Sequence, residues 1–157
     1  MKLFLIIVVF VTIASAKIYS KCELARVMDK AGFPRSSLPD WMCLVDSESS
    51  FNTKAINPYN SDGSSDWGIF QINDRYWCYP GTGCSVDCSK LLNDDIQASM
   101  RCAKIVFNDP YSRGFEAWMG WQKKCKGKSL DNYSVKECFN GLNDDFYFIF
   151  YRKFYNK

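Results

Sequence analysis

The chain has 157 residues, 17% of them aromatic, with eight cysteines, no histidine and a formal net charge of +3. Without histidine there is no Ser-His-Asp or Cys-His catalysis, and with no paired C-x-x-C motif the usual zinc sites are missing too. The charge is small and unclustered, which argues against nucleic acid as a partner and leaves only mild attraction to an anionic surface.

Residues 1–16 carry Lys2, an apolar run from Leu3 to Ile13, and Ala14-Ser15-Ala16 as an A-x-A cleavage site. This reads as a secretory signal peptide, because the run is shorter than the ~20 residues a membrane-spanning helix needs. No other stretch approaches that length, so a secreted protein starting at Lys17 without a membrane span is expected. What remains is one domain's worth of chain. Its cysteines at 22, 43, 78, 84, 88, 102, 125 and 138 imply four disulfides in an oxidising compartment. Spacing alone leaves about 105 pairings.

Ser20-Lys21-Cys22-Glu23 fits a capping box and opens a helix with Leu24, Val27 and Met28 inward, stopped by Gly32 and Pro34. Pro39 suits the first turn of a second helix. There Trp41, Leu44, Val45 and Glu48 fall at i, i+3, i+4 and i+7, so an acid stands where the next core residue belongs. Burial disfavours the charged form of a carboxyl, and a carboxyl that keeps its proton near neutrality is a general acid. Periodicity alone also allows the face to have turned to solvent by Glu48.

Residues 53–76 lose helical periodicity and are dense in turn formers, which predicts a small antiparallel sheet. After the turn-rich run from Asn57 to Ser65, the segment Asp66-Trp67-Gly68-Ile69-Phe70-Gln71-Ile72-Asn73 reads as a strand. It opens on a second carboxylate, among Asn60, Ser64, Ser65, Gln71 and Asn73. Polar, hydrogen-bonding surroundings favour an ionised carboxylate. One acid in an apolar setting and one in a polar setting is the equipment for cleaving a glycosidic bond.

Tyr76 and Trp77 follow, suited either to sugar faces or to the core. Asn93-Asp94-Asp95 reads as the cap and acidic first turn of a helix carrying Ile96, Met100, Ala103 and Val106, ended by Asn108-Asp109-Pro110. Phe115, Trp118, Trp121 (or Gln122) and Cys125 approximate another helical face. Asn132-Tyr133-Ser134 is a glycosylation sequon, and Ser134-Val-Lys-Glu137 a second possible capping box. The tail from Asn143 fits a helix by its charges and a strand by its alternating aromatics. So many aromatics call for cover, by the domain, a second copy, a membrane or a glycan.

The runs Glu48-Ser-Ser-Phe-Asn-Thr53, Ser61-Asp-Gly-Ser-Ser-Asp-Trp-Gly-Ile-Phe-Gln-Ile-Asn73, Cys102-Ala-Lys-Ile-Val106 and Ala117-Trp-Met-Gly-Trp-Gln-Lys-Lys-Cys-Lys-Gly127 resemble the C-type lysozymes and α-lactalbumins. The likeness runs from Lys17 to Cys138 and includes every cysteine in order. It implies an α+β fold of a helical lobe and a small β lobe over residues 17–138, leaving 139–157 as an aromatic extension outside the family pattern. It pairs Cys22 with Cys138, Cys43 with Cys125, Cys78 with Cys88, and Cys84 with Cys102.

The resemblance makes Glu48 the acid and Asp66 the nucleophile or stabiliser of a retaining muramidase, facing each other across a cleft. Trp118 packs against Glu48, and Asn60, Gln71, Asn73, Tyr76, Trp77, Asp109, Ala117 and Trp118 contact substrate. Peptidoglycan is the implied partner and chitin oligomers a second one, for a monomer with no cofactor. Calcium, bound by some relatives near the second helix-opening acids, is not expected: Ala98 and Ser99 stand where downstream ligands belong. The loops 79–83 and 109–117 depart in length from the family. The rival reading is a member without hydrolysis, either a sugar-binding or regulatory module or a cationic protein that disrupts membranes; such members typically lack one or both acids, and this chain keeps both.

Overall fold

A computed structural model describes residues 16–79 and 82–140. The leader through residue 15, Pro80 and Gly81 of the short loop, and the tail from residue 141 lie outside the described residues.

Helix α1 (Lys21–Lys30) is capped by Ser20, whose hydroxyl oxygen accepts the Glu23 N–H at 3.3 Å. The Glu23 carboxylate pairs with Lys17 Nζ at 2.7 Å. Leu24, Ala25 and Met28 are buried, and the chain leaves the helix through Gly32 at φ 79°. Helix α2 (Leu38–Ser49) starts with Pro39 in its first turn and buries Trp41, Met42, Cys43, Leu44 and Val45, so it runs through the middle of the core. Trp41 is the hub: its ring centroid lies 4.8–5.9 Å from those of Phe33, Phe70, Phe107, Phe115 and Trp118.

The sheet is three-stranded and antiparallel, in the order β1 (Ile56–Asn57), β2 (Asp66–Trp67), β3 (Ile72–Asn73). The expected strand over 66–73 is therefore two strands and the turn between them. Gly68 turns the chain at φ 75°, and an added Cβ there would lie 2.2 Å from the Leu91 carbonyl oxygen, so only glycine fits. The turn drives Ile69 and Phe70 into the core, which is why the run looks apolar without being extended. Ser49, buried at the end of α2, sets its hydroxyl 2.7 Å from the Ile69 carbonyl oxygen and ties helix to turn.

Helix α3 (Gln97–Asn108) buries Met100, Cys102, Ala103 and Val106 and ends at Asp109. Its start differs from expectation. Asp95 accepts the Gln97 N–H at 3.1 Å, while Asp94 takes the hydroxyl of buried Thr53 at 2.6 Å and the Lys17 backbone N–H at 3.4 Å. Tertiary partners thus claim an acid expected in the helix's first turn. The predicted face over 115–125 is also interrupted: a 3₁₀ turn (Gly114–Ala117) gives way to extended Trp118 before α4 (Met119–Lys124). The break lets the Trp118 indole donate to the Phe70 carbonyl oxygen at 2.8 Å. Ser134 does not cap α5 (Lys136–Phe139), whose N-cap position is Val135.

The four disulfides are those the resemblance implied: Cys22–Cys138, Cys43–Cys125, Cys78–Cys88 and Cys84–Cys102. The first joins α1 to α5, and the second joins α2 to the end of α4. The others anchor the segment after the sheet, Cys84–Cys102 fastening it to α3. Among the described residues no helix is long and apolar enough to cross a membrane.

Candidate active site

Between the sheet and the helices lies a cleft of about 550 Å³, into which α2 delivers Glu48 and β2 delivers Asp66. Of the residues singled out from sequence, Asn60, Gln71, Asn73, Tyr76, Trp77, Ala117 and Trp118 line it as well. Asp109 does not: its carboxylate accepts the N–H groups of Tyr111 and Ser112, at 2.9 and 3.1 Å, inside its own loop.

Glu48 sits two turns beyond Trp41 on the same face of α2, where the apolar stripe meets the cleft. Burial is the largest influence on it and pushes its pKa up, with the nearby Asp66 charge adding to the rise. The Gly120 N–H, donating to Oε1 at 2.8 Å, works in the other direction and fixes the carboxyl in place. A Cβ on residue 120 would stand 2.5 Å from that oxygen. Gly120, absent from the residues picked out by sequence, is thus a floor against which Glu48 rests.

Asp66 has a different environment. Asn57 pairs with Asp66 across β1 and β2, and Asp66 with Asn73 across β2 and β3, so the three side chains form a row over the sheet. Asp66 Oδ1 accepts from Asn73 Nδ2 at 2.8 Å, and Oδ2 accepts from Asn60 Nδ2 at 2.9 Å and Asn57 Nδ2 at 3.3 Å. Buried Ser64 braces the amides: its hydroxyl oxygen accepts from Asn73 at 2.8 Å and Asn60 at 3.1 Å, and its proton goes to Asp62 at 2.6 Å. Asn57 was missed from sequence, and only strand register reveals it.

The wall of the cleft carries aromatic faces. Tyr76 is 59% exposed, and half-buried Trp77 is backed by Gly83, where an added Cβ would lie 2.6 Å from the indole. The side-chain nitrogen of Gln71 bridges the carbonyls of Gly68, at 2.8 Å, and Ala55, at 3.1 Å, holding the hairpin turn in shape.

An α+β fold cross-linked by four disulfides, with a buried acid and an amide-bound carboxylate sharing one cleft beside exposed aromatics, defines a glycoside-hydrolase architecture of the two-carboxylate kind. The chain belongs to the C-type lysozyme/alpha-lactalbumin family, whose model matches residues 17–138. It is 48% identical to lysozyme c-1 of Anopheles gambiae over 86% of this chain and 94% of that protein. It is likewise 48% identical to the milk isozyme of lysozyme C of Canis lupus familiaris over 74% and 95% of the two chains. With lysozyme C-1 of Mus musculus the identity is 43% over 80% and 88%.

Proposed function

We propose that the protein is a secreted, monomeric muramidase that hydrolyses the β-1,4 bond between N-acetylmuramic acid and N-acetylglucosamine in peptidoglycan, with chitin oligomers as secondary substrates. Residues 17–138 form its catalytic domain, residues 1–16 a leader removed on export, and residues 139–157 an extension. The lysozyme names of its relatives support the substrate. The observation that carries the mechanism is that Glu48 and Asp66 line one cleft in opposite surroundings.

Glu48, protonated through burial, gives its proton to the leaving glycosidic oxygen. Asp66, held by three side-chain amides, approaches the anomeric carbon and bonds to it or balances its positive charge. Glu48, now ionised, removes a proton from the incoming water, and the configuration at the anomeric carbon is retained. Tyr76, Trp77, Ala117 and Trp118 bed the sugar rings, while Asn60, Asn73 and Gln71 hold the β-lobe wall in shape.

The test is the pH profile of cell-wall lysis by protein beginning at Lys17. A bell-shaped profile is expected, reduced by a factor on the order of 10² or more in both Glu48→Gln and Asp66→Asn. Full lytic activity in Glu48→Gln would defeat the assignment.

A further inference from the structure

We propose that Asn132 carries an N-linked glycan, displayed behind helix α2 on the side of the molecule away from the cleft. The inference rests on the reading that the chain is exported, since the glycan donor is met only along that route. Asn132-Tyr133-Ser134 is the one N-x-S/T sequon in the chain, so any N-glycan reports on this residue alone.

The fold treats the sequon's residues differently. They lie at a 3₁₀ turn, Asp131–Tyr133, in which successive side chains diverge by about 120°. Tyr133 is turned inward, and its hydroxyl donates to Asp46 Oδ2 at 2.7 Å, a bond that pushes the phenol pKa up to about 12. With the middle residue anchored, Asn132 is turned outward: it is exposed, and its side-chain amide makes no hydrogen bond among the described residues, while its backbone carbonyl oxygen accepts from Lys21 Nζ at 3.5 Å. A glycan on that nitrogen displaces no internal contact.

Position on α2 gives the direction. Asp46, which holds the sequon turn, precedes Glu48 by two residues, and two residues rotate the helix by about 200°. The sequon and the acid therefore leave α2 on opposite sides, and no residue from 131 to 134 lines the cleft. In the transfer step the Asn132 amide nitrogen forms a bond to the anomeric carbon of a lipid-linked oligosaccharide diphosphate. The bond from that carbon to the phosphate oxygen breaks, the amide loses one proton, and the lipid diphosphate leaves.

The full chain with its own leader, expressed in a eukaryotic secretory host, gives two readouts: where the protein accumulates and its intact mass. Protein in the medium is expected to exceed the polypeptide mass by one core oligosaccharide. Peptide-N-glycosidase should remove that mass and leave aspartate at 132 in peptide maps. Asn132→Gln and Ser134→Ala should lack the added mass, Ser134→Thr should keep it, and hydrolysis of soluble peptidoglycan fragments should be the same before and after deglycosylation. Secreted, fully oxidised protein with the bare polypeptide mass would overturn the glycan while leaving export intact. Bare protein retained in the cells would overturn the export reading and the glycan with it. Hydrolysis that rises sharply on deglycosylation would overturn the placement behind α2.

Discussion

Gly120 and Glu48 meet at a contact with no spare room, and two consequences follow from it. Because burial raises the Glu48 pKa, the folded state holds this proton to higher pH than the unfolded chain does. The stability this group contributes is therefore fully present below the ordinary glutamate range of about pH 4 and is lost as pH rises through the folded pKa. Glutamine cannot ionise, yet its side-chain oxygen still accepts the Gly120 N–H. Glu48→Gln should accordingly melt above the wild type at pH 7 to 8 and converge on it in acid, which thermal scans across pH would read. Gly120→Val puts carbon where Oε1 now lies 2.5 Å from an ideal Cβ position, so the carboxyl must move. Its kcat should fall by a factor on the order of 10 to 100 with KM little changed, because the substrate walls are left intact. A fall in kcat/KM carried wholly by KM would show that Gly120 positions substrate rather than the acid.

The hairpin from β2 to β3 shows what an element contributes and how far it was legible. The two acids and their contrasting surroundings were readable because a 3.6-residue stripe ends on Glu48 and polar residues crowd Asp66. The turn inside the hairpin was not, because Ile69 and Phe70 look like strand residues whether they lie in a sheet or plunge into a core. Only the Gly68 approach to the Leu91 carbonyl distinguishes them. Gly68→Ala should cost about 1–2 kcal/mol from the left-handed backbone alone, with steric overlap adding more, measurable as a lower denaturation midpoint. The break at Trp118 was hidden for a similar reason: helical spacing continues through it, and the indole bond to Phe70 that bends the chain is a tertiary partner no local pattern encodes. Asn57 escaped because its neighbour Asp66 lies nine residues away, across a turn whose register a sequence does not state.

For the whole molecule the cross-links and the core divide the labour. Cys22–Cys138 and Cys43–Cys125, separated by 116 and 82 residues, are nested, so with one intact the other closes a much smaller ring than its separation suggests. One joins α1 to α5 and the other joins α2 to the end of α4, while Trp41 organises the aromatic centre. The Lys17 backbone nitrogen and the Thr53 hydroxyl both donate to Asp94, whose pKa is lowered chiefly by the Thr53 bond. With residues 1–16 attached, that Lys17 nitrogen is an amide. Cleavage after Ala16 would turn it into an ammonium, protonated below a pH of about 8, beside a carboxylate already in place. Maturation would then do more than discard a leader: it would create a cation where the fold keeps an anion waiting. Recombinant protein that retains an extra methionine or a tag before Lys17 should melt slightly below protein with an authentic Lys17 terminus. The difference should shrink in high salt and disappear above a pH of about 9, where the Lys17 amino terminus has lost its proton and its charge.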